Sequence, residues 1–88
     1  TMFSIGIPTL NRADLLLPSI QKYLTDFKDT DLHIIDNGNQ NLNHLEQNEN
    51  IYVHNQLENI GVAASWNKLC KIIFAKQDWA LLINDDVY

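Results

Sequence analysis

The sequence has little of what several classes of protein require. Its single cysteine, Cys70, can form neither an internal disulfide nor a zinc cluster, and we expect it to pack in the core of a protein from a reducing compartment. No apolar run approaches the ~18 residues of a membrane span, and the first residues lack the pattern of a signal peptide. These absences predict a cytoplasmic protein without a transmembrane segment.

Positive charge is also scarce. Six lysine and arginine residues stand against eleven aspartate and glutamate residues, which gives a net charge of −5. Such a surface does not attract a phosphate backbone, so general nucleic-acid binding is excluded. An anionic ligand would need a metal ion or well-aimed backbone donors beside it.

What is present is the composition of a small globular domain. Hydrophobic residues make up 45% of the 88 residues and charged residues 19%, which is enough apolar material for one core but not for two. We therefore treat residues 1–88 as one domain.

Four apolar runs predict buried strands, and their near-continuous character is typical of a parallel sheet covered on both faces. The runs lie at residues 3–7, where Pro8 is expected to end the strand, and at residues 32–35, 51–54 and 79–83.

Two segments between the strands have helical periodicity. The first places five apolar residues on one face: Leu16, Ile20, Tyr23, Leu24 and Phe27. Pro18 is tolerated only in a first helical turn, so this helix is expected to start near residues 15–17. The second has a stripe expected to be buried: Val62, Trp66, Leu69, Cys70, Ile73 and Phe74.

The stretch at residues 37–50 is rich in asparagine and predicts a loop, with one helical turn fixed by Leu42 and Leu45. The resulting order, β-α-β-loop-β-α-β, predicts the α/β class. We expect an open, mostly parallel, Rossmann-like sheet of about four strands with flanking helices and right-handed crossovers.

Polar residues follow three of the predicted strands: "PTLNR" at residues 8–12, "DNGN" at 36–39 and "NDD" at 84–86. Open parallel sheets bind ligands outside the carboxyl ends of their strands. If these three strands are neighbours, the clusters lie together at the carboxyl-terminal edge of the sheet, which we call the rim. Their carboxylate and amide oxygens suit Mg²⁺ or Mn²⁺. Taken singly, "NDD" and "DNG" are equally compatible with solvated turns.

Three other kinds of nucleotide or phosphate site are not indicated, because the chain lacks their motifs. No Gly-x-Gly-x-x-Gly segment and no P-loop lysine motif occurs, so neither a dinucleotide fold nor a P-loop enzyme is indicated. A phosphoacceptor receiver domain would need an acidic pair after the first strand, where this chain has Pro8 and Thr9.

Four segments in combination carry a more specific signal. "FSIGIPTLNRADLLLPSIQKYL", "LHIIDNGN", "NIGVAASWN" and "WALLINDDV" occur in this order. The chain resembles the N-terminal half of the family 2 glycosyltransferases, which have the GT-A fold. The resemblance covers essentially the whole chain.

This resemblance implies a nucleotide-sugar site along the predicted rim. The residues implied in the nucleotide pocket are Pro8, Thr9, Asn11 and Arg12, with Asp36 bonded to the base and Asn37 and Gly38 in the adjoining turn. The resemblance also implies that Asn59, Gly61 and Asn67 form the floor of the site near the ribose and diphosphate. Asn67 could instead be an ordinary exposed residue of the helix.

The last motif implies the metal site. The Asp-x-Asp-like motif of the family aligns with Asn84, Asp85 and Asp86, so asparagine replaces the first aspartate. Asp86 is then the ligand of Mn²⁺ or Mg²⁺, Asn84 a ribose contact, and Asp85 an intervening residue on the nucleotide side. Asn39 is a second departure, because the family usually has serine there.

The implied activity is metal-assisted transfer of a sugar from a nucleoside-diphosphate sugar to an acceptor hydroxyl on a saccharide, lipid or protein. We expect these residues to be the donor-binding half, with the acceptor half and the general base beyond residue 88. A non-catalytic module that binds nucleotide or metal is the alternative, and an α/β fold that has lost its ligand is a third possibility. An uncovered edge strand also predicts self-association into a homo-oligomer.

Overall fold

The computed structural model describes residues 3–10, 13–27, 29–38, 42–56 and 58–83. The elements follow the predicted order: β1 (Phe3–Thr9), α1 (Ala13–Asp26), β2 (Leu32–Asp36), a short 3₁₀ helix (Asn43–Gln47), β3 (Ile51–Asn55), α2 (Val62–Phe74) and β4 (Trp79–Leu82). Leu42 and Leu45 are buried around the 3₁₀ helix, as predicted for this single turn.

The strands form one parallel sheet in the order β3-β2-β1-β4. From β1 the chain adds β2 and then β3 on one side, whereas β4 pairs with the opposite side of β1. The prediction of an open, Rossmann-like α/β sheet with two flanking helices is confirmed. The strand order reverses between β1 and β4, and that is where such sheets have their ligand crevice.

The main core lies between α1 and one face of the sheet. Alternate strand residues point to this face, so Ile5, Ile7 and Ile34 meet the apolar stripe of α1. The predicted stripe is confirmed: Leu16, Ile20 and Tyr23 are buried, with Leu24 and Phe27 packed against them.

Helix α2 packs on the other face and approaches β1 closely, because β1 presents small residues there. A Cβ atom added at Gly6 would lie 3.0 Å from Leu82 Cδ2 and 3.2 Å from both Cδ atoms of Leu69. Leu69 and Ile73 are buried at this contact. Gly6 therefore sets the distance between α2 and the sheet.

Pro8 was expected to end the first strand, and Pro18 to lie in the first turn of a helix that starts near residues 15–17. Both expectations were wrong, because β1 continues to Thr9 and α1 already starts at Ala13. Pro18 lies inside α1, where its exposed ring costs one backbone hydrogen bond while the buried residues Leu16 and Ile20 on either side keep the helix packed. Pro8 lies inside β1 because the bonds to β2 are made by alternate residues, such as Thr9, whose carbonyl accepts from Asn37 N at 2.9 Å. Pro8 directs its nitrogen towards β4, whose register with β1 ends at Gly6.

The second helix and the last strand are less buried than predicted. Trp66 is 36% exposed and Phe74 53% exposed, and Cys70 is only partly buried, because α2 packs mainly through Leu69 and Ile73. Trp79 and Leu81 of β4 are 66% and 41% exposed. Both side chains point to the face of the sheet that α1 covers, but α1 packs over β1 and β2, so these side chains of β4 stay exposed.

No helix within the described ranges is long and apolar enough to cross a membrane.

We expect the exposed edge of β4 to promote self-association. Its outer backbone groups and the apolar Trp79 offer a pairing surface to a second copy. Sedimentation velocity over a range of concentrations should show a dimer that Trp79→Lys weakens. Trp66→Lys, which changes an exposed tryptophan on α2, is the matched control; a wild-type chain that stays monomeric would contradict the expectation.

A histidine pair joins β2 to β3 on the α2 face of the sheet. His33 Nδ1 and His54 Nε2 are 3.2 Å apart, so one ring donates to the other, and the His33 ring also stacks on Tyr52 with centroids 4.9 Å apart. Burial lowers the pKa of His33 to about 4; nearby His54 and Lys76 act in the same direction, and Asp31 opposes them.

The pKa of His54 is lowered as well, first by burial and then by Lys68, against the opposing charge of Glu46. Both rings are therefore held neutral in the folded chain. A neutral pair keeps its single N–H···N bond, which protonation of both rings would break.

We expect the chain to lose stability on mild acidification. A histidine whose folded pKa lies below its unfolded value of about 6.5 contributes stability above pH 6.5 and loses it as the pH falls towards 4. With a discount for partial solvent exposure, the contribution of the pair to the free energy of unfolding should fall by about 1 kcal/mol from pH 7 to pH 5. Urea unfolding at both pH values measures this difference.

His33→Gln/His54→Gln should reduce the pH dependence, whereas His44→Gln, at an exposed histidine outside the pair, should retain it. An equal pH dependence in the double variant and the wild type would show that carboxylates, and not this pair, dominate the acid response.

Candidate functional site

The carboxyl ends of β1, β2 and β4 lie side by side, which is the condition under which the three polar clusters were expected to share one rim. Thr9 is the register partner of Asp36, and Gly6, three residues before Thr9, is the partner of Leu82. The predicted residues Asn11, Arg12, Asn84, Asp85 and Asp86 lie outside the described residues. Their roles, including that of Asp86 as the metal ligand, stay predictions.

Asp36 ends β2 and begins the turn that follows it. Its Oδ1 accepts a hydrogen bond from Gly38 N at 3.0 Å, and its main-chain oxygen accepts from Gln56 N at 3.1 Å. The side-chain bond is an Asx turn, which is the reading that "DNG" has in isolation. Asp36 is 0% exposed and Thr9 2% exposed. A base can therefore reach this carboxylate only if the residues that enclose it move.

Asn37 connects the end of β2 to the segment that precedes α2. Its Nδ2 donates to Ser65 Oγ at 2.8 Å, and its Oδ1 accepts from Ile60 N at 3.3 Å. The residue is 7% exposed. Both polar atoms of the side chain thus have protein partners, and Asn37 shapes the rim by holding it together.

Ser65 completes this connection from the first turns of α2. It is 0% exposed, and its Oγ donates to Gly61 O at 2.6 Å while accepting from Asn37. Sequence reasoning missed Ser65. The available signal was a small polar residue four positions before Leu69, which places it on the buried face of α2.

Gly61 has a backbone conformation that depends on glycine. Its φ of 84° and ψ of 167° lie in a region that side-chain-bearing residues rarely occupy. Its N–H donates to Asn59 Oδ1 at 2.8 Å, which closes a second small turn before the helix. The segment at residues 59–61 is therefore fixed by Asn59 at one end and by Ser65 at the other.

The predicted site residues divide into two groups. The described rim brings together Thr9, Asp36, Asn37, Gly38, Asn59 and Gly61, with Pro8 beside Thr9 in β1. Asn67 is exposed and lies two residues beyond Ser65, about 200° around the helix from it. Its position agrees with the alternative of an exposed helix residue.

The described residues do not form a metal site by themselves. No group of three His, Cys, Asp or Glu side chains among them could hold an ion. The one rim carboxylate they include, Asp36, has Oδ1 bonded to Gly38. The predicted ligand of Mn²⁺ or Mg²⁺, Asp86, lies outside the described residues, so the metal site stays a prediction.

Comparison with known proteins adds no family to this description: no family model, no curated protein and no solved structure matches the chain.

We expect Gly61→Ala to destabilise the rim even though the space around the added Cβ is open. Apart from Gly61 and its two chain neighbours, no heavy atom of the described residues lies within 4 Å of that position. The penalty therefore comes from the backbone, at about 1–3 kcal/mol for a residue forced into such a region. The free energy of unfolding in urea measures it.

Gly6→Ala is the contrasting control, because there the obstacle is a side chain. Shortening Leu82 to alanine in the same chain should lessen the added penalty of Gly6→Ala, since the Leu82 Cδ2 contact at 3.0 Å is then gone. A Gly61→Ala chain as stable as the wild type would show that the backbone relaxes there without strain.

Proposed function

We propose that this chain binds the nucleoside-diphosphate-sugar donor of a glycosyl-transfer reaction, and that the sugar passes to an acceptor hydroxyl with the help of Mn²⁺ or Mg²⁺. The observation that carries the proposal is the meeting of three of the four family-like segments at one rim. Pro8 and Thr9 end β1 beside Asp36 at the end of β2, and Asn37, which follows Asp36, accepts a hydrogen bond from Ile60 N in the segment "NIG". On its β1 side, this rim borders the point between β1 and β4 where the strand order reverses.

The start of α2 supplies a suitable environment for a diphosphate. Ser65, in the second turn of the helix, bonds Asn37, so the amino-terminal end of α2 faces the rim. A helix amino terminus attracts anions through its free N–H groups and its dipole. In a chain with a net charge of −5, such local donors and a divalent ion are what an anionic donor needs.

The residues of the rim have separate tasks in this proposal. Asp36 accepts hydrogen bonds from the base once the enclosing turn opens, and Asn37 holds the segment at residues 59–61 under the ribose. Asp86 is the residue that would hold the ion. When bound, a divalent ion stabilises the negative charge that develops on the departing diphosphate.

A non-catalytic nucleotide-binding module is the second candidate. The geometry of Asp36 bears equally on both candidates, because its enclosed carboxylate, bonded within its own turn, would have to open for a base in either case. Donor turnover separates the two candidates if it is measured on a protein in which these residues are joined to an acceptor-binding half, because residues 1–88 alone are expected to bind the donor without transferring the sugar. Release of free nucleoside diphosphate from the nucleotide sugar, in the presence of simple sugar acceptors, supports transfer, whereas binding without turnover supports the module.

We expect metal-dependent nucleotide binding that depends on Asp86 more than on Asp85. Isothermal titration with UDP, GDP and dTDP, each with and without Mn²⁺, measures it. Asp86→Ala should weaken the metal-dependent binding by at least about tenfold, as disturbance of a metal's ligand environment does. Asp85→Ala is the matched control, since it removes the same charge one residue earlier.

The opposite order of the two variants would show that the alignment of the motif is shifted by one residue. Absence of metal-dependent nucleotide binding in a folded wild-type sample would contradict the proposed function.

A further inference from the structure

The polar contacts at the rim include one side chain that no ligand needs to touch. Ser65 is 0% exposed, so it lies behind the surface that a nucleotide would meet. Its hydroxyl nevertheless bonds two elements of that surface: it accepts from Asn37 at 2.8 Å and donates to Gly61 O at 2.6 Å.

These bonds form a continuous path from β2 to the rim segment at residues 59–61. Asn37 in turn accepts from Ile60 N at 3.3 Å, so the segment is held from the strand side by Asn37 and from the helix side by Ser65. The contact between Asn37 and Ser65 bridges 28 residues of sequence and is buried. Loss of the hydroxyl would leave the Nδ2 donor of Asn37 buried without this acceptor, which is costly.

We propose that Ser65 is a positioning residue that sets the rim segment at residues 59–61 for nucleotide binding, acting through Asn37 and Gly61. This inference rests on the proposed function, because it assigns the segment a ligand. A positioning role is distinct from a role in folding alone. Removal of the hydroxyl should weaken nucleotide binding by the folded chain and make the hydrogen bond of Ile60 N–H open more often.

Three variants at this position separate the hydroxyl from the space it occupies. Ser65→Ala removes the hydroxyl, Ser65→Cys fills similar space with a weak hydrogen-bonding group, and Ser65→Thr retains the hydroxyl. Thr25→Ala is the matched control: Thr25 donates its hydroxyl to Gln21 O at 3.0 Å, four residues earlier in α1, which is the geometry of Ser65 with Gly61 on the other helix.

The experiment has two readouts on each folded variant. Amide hydrogen exchange followed by NMR reports how often the Ile60 N–H opens, and titration with UDP and Mn²⁺ reports the affinity of the rim. Ser65→Ala and Ser65→Cys should speed exchange at Ile60 and weaken UDP binding, each by about five- to tenfold, as expected for one net hydrogen bond. Ser65→Thr should restore both values, and Thr25→Ala should change neither.

Each outcome decides the matter. If Ser65→Ala fails to fold, Ser65→Cys supplies the comparison. Faster exchange with unchanged UDP affinity overturns the positioning role and leaves a purely structural one, and unchanged exchange overturns the connection itself. A wild-type chain that binds no nucleotide contradicts the proposed function and therefore also the positioning role of Ser65 in nucleotide binding. In that case the exchange measurement still shows whether Ser65 holds the segment at residues 59–61.

Discussion

Parallel pairing of β1 with β2 on one side and β4 on the other decides which residues of this chain can meet. Parallel strands need a long connection each, and such connections return the chain so that all carboxyl ends lie at the same edge. The two helices thereby fall on opposite faces, α1 over the apolar face of β1 and β2 and α2 over the face where Gly6 allows a close approach. The polar segments after the strands then gather at one rim because of this topology.

The sequence was informative wherever burial alone decides the structure. Apolar runs predicted all four strands, and the spacing of Leu16, Ile20 and Tyr23 predicted the buried face of α1. It was misleading where the outcome depends on neighbours. Pro8 and Pro18 each remove one backbone hydrogen bond. The pairing of β1 with β2 keeps the strand in place despite this loss, and the packing of α1 keeps the helix in place. Trp66 and Phe74 fit the helical period of the apolar stripe but are exposed. Periodicity places residues on one side of a helix and does not show how much of that side the sheet covers.

The candidate site shows the same division. The sequence predicted that β1 and β2 end in polar residues, and that these residues meet if the two strands are neighbours, which they are. That Asp36 is fully enclosed and that both amide atoms of Asn37 are bonded did not, because these facts depend on residues distant in sequence. Ser65 belongs to this second kind. A serine within an amphipathic helix has no distinctive pattern, and its role is visible only once the sheet brings Asn37 against it.

The pairing of β1 with β4 also joins the two ends of the described chain. Phe3 is the register partner of Trp79, so the contact closes a separation of 76 residues, the difference between their numbers. Closing so long a loop costs chain entropy, which has to be paid before the contact gains free energy, and non-local pairing of this kind slows folding. A sheet of β1, β2 and β3 alone would have Asp36 and Thr9 in register but would lack the β4 side of the crevice. A ligand that spans β1 and β4 would bind only the complete sheet, so its binding free energy would add to the stability of the β1–β4 pairing.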